Sequence, residues 1–219
     1  VAGVDYPSRR TLAESYALMK ADMERALSLF TGTQALPYGP SYSYFNALTA
    51  RAVYARMALQ MHDWETAYQM ADTVIATSGV SLMEGEDYVA QWQKPEEPVS
   101  EILFELSAPR TSDDGSVSSS LANSYFGYVD PDNYNALVAS GDLLELYDTG
   151  DVRHDMFLEV LLPTSVDGVE RNELYAFTWK FQDDPGISVS RLSEMYLVRA
   201  EAAVRMEGGD PGTARTDLN

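Results

Sequence analysis

The sequence predicts a mostly α-helical fold in which helical hairpins flank a loop-rich insertion that contains short β-strands. Two stretches, 47–77 and 190–218, carry apolar residues at helical spacing, and each is interrupted by a tight turn. Between them, residues 107–135 are rich in Ser, Gly, Asp and Asn, which is a composition typical of loops. The chain has 219 residues and 45% hydrophobic content, enough for one domain with a sizeable core.

The first helix is predicted to begin after Thr11. Thr11 and Glu14 have the spacing of a capping box, in which each side chain satisfies a free backbone N–H of the first turn. Apolar residues then follow at helical spacing, and Gly32 is expected to end the helix. These apolar residues are Tyr16, Met19, Met23, Leu27 and Phe30.

A helical hairpin is predicted next. Residues 47–61 carry two apolar stripes, which indicates a helix packed on both sides. Asp63 is expected to cap a second helix that ends near Gly79. The residues that this second helix is expected to bury are Trp64, Ala67, Ala71, Val74 and Ile75.

The middle of the chain contains fewer periodic segments. Residues 101–106 are predicted to form a short strand and residues 141–147 a short helix. Residues 174–182 alternate strictly and predict a strand with an aromatic face. Burial of this face is the favoured interpretation, and a flat platform for sugars is the alternative. The aromatic residues of the face are Tyr175, Phe177, Trp179 and Phe181.

The last segment predicts a second helical hairpin. Residues 190–206 form its first helix, and Asp210 with Pro211 marks the start of the next one. At an offset of 147 positions the two hairpins align, with small residues where the helices cross. The aligned pairs are Val53 with Ala200, Ala55 with Ala202, Leu59 with Met206, Asp63 with Asp210, and Ala67 with Ala214. This pattern is typical of tetratricopeptide-like units, here separated by the insertion rather than in tandem.

The composition excludes several classes of function. A net charge of −19 repels phosphate groups, so neither nucleic acid nor an anionic membrane surface is expected as a partner. The absence of cysteine removes disulfides, thiol nucleophiles and zinc–thiolate sites. No cofactor and no metal site is predicted, because His62 and His154 lie outside any metal-binding pattern and there is no Gly-rich phosphate loop.

A hydrolase is the least favoured of the functions considered. Glycosidases use two carboxylates, but with 34 acidic residues suitable pairs arise by chance. Glu194 and Glu201 lie two turns apart on one helix, and Glu201 precedes Arg205 by four residues, as in an ordinary ion pair. Structural roles are therefore preferred for these acids, and no catalytic residue is predicted.

The candidate binding residues are aromatic rings surrounded by amides and carboxylates in the loop 123–135. Rings can cover the C–H faces of a sugar while polar groups bind its hydroxyls, although a structural role for the same residues remains equally open. Trp92, which precedes a Pro- and Glu-rich loop, is a further candidate whose role the sequence leaves open. The full set is Asn123, Tyr125, Phe126, Tyr128, Asn133, Tyr134 and Trp92, with Asp130, Asp132 and Asn135 nearby.

Several ordered motifs resemble the SusD/RagB-like family of outer-membrane nutrient-binding lipoproteins, over roughly residues 9–219. The most specific is the stretch 191–202, which reads RLSEMYLVRAEA. The others are Thr11-x-x-Glu14-x-Tyr16 leading to Ala21–Ala26, Ala50–Met57 leading to Asp63–Ala67 and Ala71–Ile75, Ser100–Glu105, Leu146-Tyr147 with Asp151-x-Arg153, and Ala214 with Leu218-Asn219.

This resemblance implies one SusD-like domain over residues 1–219, with a first helical part at 9–79, an insertion at 80–188 and a second hairpin at 189–219. It implies a protein at the cell surface that binds glycans without catalysis and acts with a TonB-dependent, SusC-like transporter. Because family members are usually longer and carry an N-terminal lipid-bearing Cys, it also implies a fragment or trimmed form whose lipid anchor lies outside this chain. A tetratricopeptide-like scaffold for peptides or protein partners is the alternative function.

Overall fold

The computed structural model describes residues 8–30, 41–92, 100–106, 128–130, 133–134, 137–178 and 187–219. Helices in these ranges are α1 (Leu12–Leu29), α2 (Ala47–Gln60), α3 (Trp64–Thr77), α4 (Tyr88–Trp92), α5 (Gly141–Leu144), α6 (Leu192–Arg205) and α7 (Pro211–Asp217). Strands are β1 (Ile102–Leu106), β2 (Tyr128–Asp130), β3 (Asn133–Tyr134), β4 (Phe157–Val166), β5 (Val169–Thr178) and β6 (Ile187–Arg191). The prediction of a mostly helical fold with short strands is confirmed.

The chain divides into two compact units. The first contains Val1–Gly79 together with Ser190–Asn219, and the second contains Val80–Val189. Among the described residues, the long helices α1, α2, α3 and α6 lie in the first unit, whereas the second unit contains the hairpin formed by β4 and β5. No helix in the described part of the chain is both long and apolar enough to cross a bilayer.

Local capping defines where the helices of the first unit begin. Thr11 and Glu14 form the predicted capping box at the start of α1, with the Glu14 N–H donating to Thr11 Oγ1 at 3.2 Å. The predicted caps Asp63 and Asp210 accept hydrogen bonds from backbone N–H groups in the first turns of α3 and α7. These caps depend only on neighbouring residues, which is why the sequence predicted them correctly.

Small residues form the contacts between the helices of the first unit. α3 packs against both α2 and α6, and α6 packs against α7. Ala55 and Ala202, aligned in the repeat, are both 0% exposed, and so is Ala67. An alanine side chain lets neighbouring backbones approach closely, so these positions fix the spacing of the helices. Gly209 allows a similarly close approach in the turn before α7, because a Cβ at this position would clash with the carbonyl oxygen of Ala203.

Ion pairs across the helices add specificity to this packing. Arg56 of α2 pairs with Glu194 of α6 through two nitrogens of its guanidinium. Arg199 of α6 donates to Asp217 of α7 at 2.5 and 2.8 Å and to Asp72 of α3 at 2.7 Å. The Asp217 side chain is only 1% exposed, so Arg199 neutralises a charge that lies almost out of contact with water.

The burial of Trp64 differs from the prediction that this residue lies in the core. It is only partly buried, with the His62 ring stacked on it at 4.9 Å between centroids and the Arg205 guanidinium 5.3 Å from its ring centroid. As the first residue of α3, it lies next to the turn that joins α2 to α3. Ala67, Ala71 and Val74 of the same helix are 0% exposed, as predicted, whereas Ile75 is partly buried.

The second unit contains a long antiparallel hairpin, and the sequence analysis did not predict its first strand. β4 and β5 pair over their full length, and they are joined by Asp167 and Gly168, which have φ of 53° and 77°. Two left-handed residues are what a tight two-residue hairpin turn requires. The predicted strand 174–182 therefore belongs to β5, which starts earlier, while residues 179–182 lie outside the described part.

Some predicted boundaries are wrong by a few residues. The short helix predicted at 141–147 ends at Leu144, and turns follow it. The helix predicted from residue 190 begins at Leu192, because Ser190 and Arg191 complete β6, the strand beside β1 in a two-stranded sheet. Pairing with a strand far away in the sequence explains this shift, since helical periodicity alone cannot reveal it.

Candidate functional site

Part of the predicted binding loop forms a small antiparallel ribbon. Tyr128 of β2 pairs with Tyr134 of β3, and Asp130 pairs with Asn133. The register shifts by one residue between the two pairs, as at a β-bulge. The backbone thus brings together two of the predicted tyrosine positions, which are separated along the chain.

The remaining loop candidates lie outside the described residues; they are Asn123, Tyr125, Phe126, Asp132 and Asn135. Their assignment to a binding site stays a prediction, as does that of Tyr128, Asn133 and Tyr134, for which the structure gives the backbone pairing.

Trp92 lies at the end of α4 and is 5% exposed. Its ring packs edge-on against Tyr88, with 6.4 Å between centroids. A ring so deeply packed contributes to the interior of the second unit and offers little surface to a sugar. This environment favours a structural role for Trp92, a possibility that the sequence had left open.

Within the described residues, the aromatic face of β5 consists of one buried ring, Phe177, and one partly buried ring, Tyr175. Phe177 is 1% exposed, and its cross-strand partner is Leu158. The Tyr175 hydroxyl lies 2.6 Å from Thr164 Oγ1 of β4. These contacts agree with the favoured interpretation of the face as core, whereas Trp179 and Phe181 lie outside the described residues.

A polar and aromatic cluster follows α5. Asp151 caps the turn 152–156, and Arg153 donates to its carboxylate through two nitrogens. Hydrogen bonds from the Arg153 side chain and backbone lower the pKa of Asp151 to about 2. The Arg153 guanidinium also lies 5.4 Å from the Tyr147 ring centroid, and Phe157 packs against that ring at 5.9 Å. Because the Asp151 carboxylate and the Arg153 guanidinium pair with each other, the Asp151-x-Arg153 motif acts as a clamp that stabilises the turn 152–156.

The described acids that were weighed as catalysts take part in ion pairs. Glu201 accepts from Arg205 at 2.7 Å, as its spacing predicted, and Glu194 pairs with Arg56. Their environment resembles that of ordinary structural ion pairs rather than a poised acid and base. Over the residues that the structure describes, no group of three or more His, Asp or Glu side chains could hold a metal ion.

The fold is therefore a set of helical hairpins interrupted by a strand-containing insertion, and this architecture occurs in known structures. A SusD superfamily protein from Bacteroides thetaiotaomicron shares 30% identity with a TM-score of 0.76, over 100% of this chain and 48% of that one. A SusD superfamily protein from Bacteroides vulgatus shares 25% identity with a TM-score of 0.73, over 97% and 47% of the two chains. A SusD-like carbohydrate binding protein from the same species has a TM-score of 0.70 at 21% identity, over 95% and 42%.

These similarities confirm the resemblance predicted from the sequence: over its whole length the fold of this chain is similar to that of SusD superfamily proteins. It spans about half the length of the solved structures that it matches. No protein-family model matches the chain, and the comparison with curated proteins found no match.

Proposed function

We propose that this chain binds glycans at the surface of the cell, without catalysing their breakdown, for delivery to a TonB-dependent, SusC-like outer-membrane transporter. The observation that carries the proposal is the similarity to SusD superfamily structures, one of which is named as a carbohydrate binding protein. Delivery and surface location rest on the family resemblance.

The pairing of Tyr128 with Tyr134 supports the stretch 123–135 as the binding segment. Aromatic rings on neighbouring strands are suited to contact the C–H faces of one or two sugar units. The cross-strand pair Asp130 and Asn133 supplies a carboxylate and an amide in the same short ribbon, groups that suit sugar hydroxyls.

The expected affinity is modest. A ring stacked on a sugar face buries about 100 Å² of apolar surface, which at ~25 cal/mol per Å² corresponds to roughly 2–3 kcal/mol. Two rings and a few hydrogen bonds, less the free energy lost on association, give dissociation constants of about μM to mM. Such affinity suits a protein that must release its cargo to a transporter.

A glycan array with the purified chain, followed by calorimetry on each hit, tests the proposal. Tyr125→Ala, Tyr128→Ala and Tyr134→Ala are each expected to weaken binding about tenfold or more, with little change in melting temperature. Tyr16→Ala on α1 is the matched control, because it removes the same ring outside the segment.

Three parts of the proposal can be refuted separately: glycan binding, the location of the binding site and the absence of catalysis. A correctly folded chain that binds no glycan on the array would refute glycan binding. Normal binding by all three loop variants would instead place the binding site elsewhere in the chain. Release of new reducing ends from a bound oligosaccharide, abolished by a single Asp or Glu substitution, would refute the non-catalytic role.

A further inference from the structure

The β4–β5 hairpin has two outer edges, and its register shows which backbone groups point towards them. A two-residue turn joins the strands, so Val166 and Val169, which flank the turn, form a hydrogen-bonded pair. Hydrogen-bonded and non-hydrogen-bonded pairs then alternate along the hairpin, and Pro163 with Asn172 is a non-hydrogen-bonded pair. The N–H and C=O of Asn172 therefore point away from β4, towards the outer edge of β5.

The two edges differ in what they offer to a further strand. On β4, the outward position 163 is a proline, which has no N–H, so an added strand would lose a hydrogen bond there. On β5, Ala176 has the same phase as Asn172, and its C=O accepts from the Ala139 N–H at 2.8 Å. Over the described residues, Ala139 is the residue that pairs with this edge. The stretch 170–174, nearer the turn, keeps its outward backbone groups for another strand.

This stretch is complementary to itself when two copies run antiparallel. If the copies pair about Asn172, the hydrogen-bonded pairs are Asn172 with Asn172 and Glu170 with Leu174. Arg171 of each copy then lies directly opposite Glu173 of the other, in a non-hydrogen-bonded pair, where side chains are closest. Centring the pair on Arg171 or on Glu173 would instead place like charges opposite each other. Charge thus selects one register.

The charged side chains of this stretch are accessible to a second copy. The Arg171 and Glu173 side chains are 52% and 41% exposed, and they form an ion pair along their own strand at 3.1 Å. Pairing would bring a second carboxylate to each guanidinium and a second guanidinium to each carboxylate. The charges at positions 171 and 173 therefore stay balanced in the pair, although each chain carries a net charge of −19.

We propose that β5 pairs edge to edge with β5 of a second copy of this chain, antiparallel and centred on Asn172, in a symmetric dimer. A two-fold axis through Asn172 makes the same patch serve both copies. The interface is confined to one strand edge, so the dimer is expected to be weak and to depend on concentration. Pairing of the edges requires no ligand, and its measurement is therefore independent of glycan binding.

Sedimentation velocity from low to high micromolar concentration tests for the dimer. The parent chain is expected to shift from monomer to dimer as the concentration rises. Arg171→Glu and Glu173→Arg each place like charges opposite each other on both sides of the axis, so each should raise the dissociation constant at least about tenfold. Arg215→Glu on α7 is the matched control, because this exposed residue gives the same change in net charge as Arg171→Glu. It should dimerise as the parent does.

A mixture of the two charge variants tests the register. Arg171→Glu places glutamate at positions 171 and 173, and Glu173→Arg places arginine at both, so opposite charges face each other again in a mixed dimer. The mixture is expected to dimerise about as strongly as the parent chain. A parent chain that stays monomeric at every concentration would overturn the proposal, and so would a mixture no stronger than either variant alone.

The backbone contact is tested by proline. Asn172→Pro removes the N–H at the centre of the interface and should abolish the dimer. Ser165→Pro is the matched control, because Ser165 is an exposed residue at an outward position of β4. It should disturb the hairpin to a similar extent and still dimerise. Equal dimerisation by Asn172→Pro and the parent chain would contradict pairing at the edge of β5.

Discussion

Arg199 joins three helices, and its replacement by methionine tests how much this buried charge matters. The Arg199 side chain is 16% exposed and contacts Asp217, which is 1% exposed, and Asp72, which is 50% exposed. Arg199→Met keeps much of the apolar length of the side chain but leaves the Asp217 carboxylate buried without its partner. The contact with Asp72 contributes little, because that carboxylate is half-exposed and screened by water.

The expected loss of unfolding free energy is about 3 kcal/mol, the lower end of the range for removing one partner of a buried ion pair. At about 2–4 °C per kcal/mol for a chain of this size, the melting temperature should fall by about 6–12 °C. Urea denaturation followed by circular dichroism, with thermal scans, measures both quantities. Arg205→Met is the control, because Arg205 forms only an exposed pair with Glu201 and a contact with the Trp64 ring, and the change should be about 1 kcal/mol or less.

The variant Arg199→Met with Asp217→Asn separates charge from packing. Asparagine removes the uncompensated charge, so the double variant should be more stable than Arg199→Met alone. If Arg199→Met were as stable as Arg205→Met, or if Asp217→Asn restored nothing, the assignment of Arg199 as the neutralising partner of a buried carboxylate would be wrong.

Two further predictions concern a titration and the packing of α3. The pKa of Asp151 is lowered to about 2 from 3.8, so any stability that this carboxylate contributes is present above about pH 4 and lost as pH falls through about 2. Carboxyl NMR should show Asp151 ionised at pH 3, and Arg153→Gln should move its pKa towards the usual value; an unchanged pKa would contradict the clamp. Ala71→Leu should destabilise the chain by about 1–3 kcal/mol in urea because Ala71 is 0% exposed, whereas Ala76→Leu on the exposed side of α3 should be nearly neutral. Equal effects would contradict close packing at Ala71.

The turn of the β4–β5 hairpin has a local signal in the sequence. Asp167 and Gly168 lie between two segments rich in apolar residues, which is a strong local indication of a two-residue hairpin turn. Pro163 interrupts the first segment, which makes it a poor match for a strand by composition. In the structure Pro163 lies opposite Asn172 in the two-stranded hairpin, where proline is tolerated because the strand is not in the interior of a sheet.

The candidate site could be predicted only in part. The residue types and polar surroundings of Tyr128 and Tyr134 indicated a binding site, but no pattern in the sequence predicts that the two positions pair. Trp92 lay in a segment too short to show periodicity, so its burial at 5% could not be foreseen. The exposure of Leu197 and Val204 on α6 depends on which side chains remain uncovered after packing, a property that no single helix reveals.

The sequence by itself determined the existence of the long helices, their side-chain caps and the small residues at their crossings. Thr11, Asp63 and Asp210 act on groups within three residues, and apolar periodicity reports the face of a helix without knowledge of its partner. Only the tertiary structure decided which helices meet. Arg56 and Glu194 are 138 residues apart, and Arg199 and Asp72 are 127 apart. Contacts over such distances arise from the folded path of the chain, because local propensity and spacing act over only a few residues.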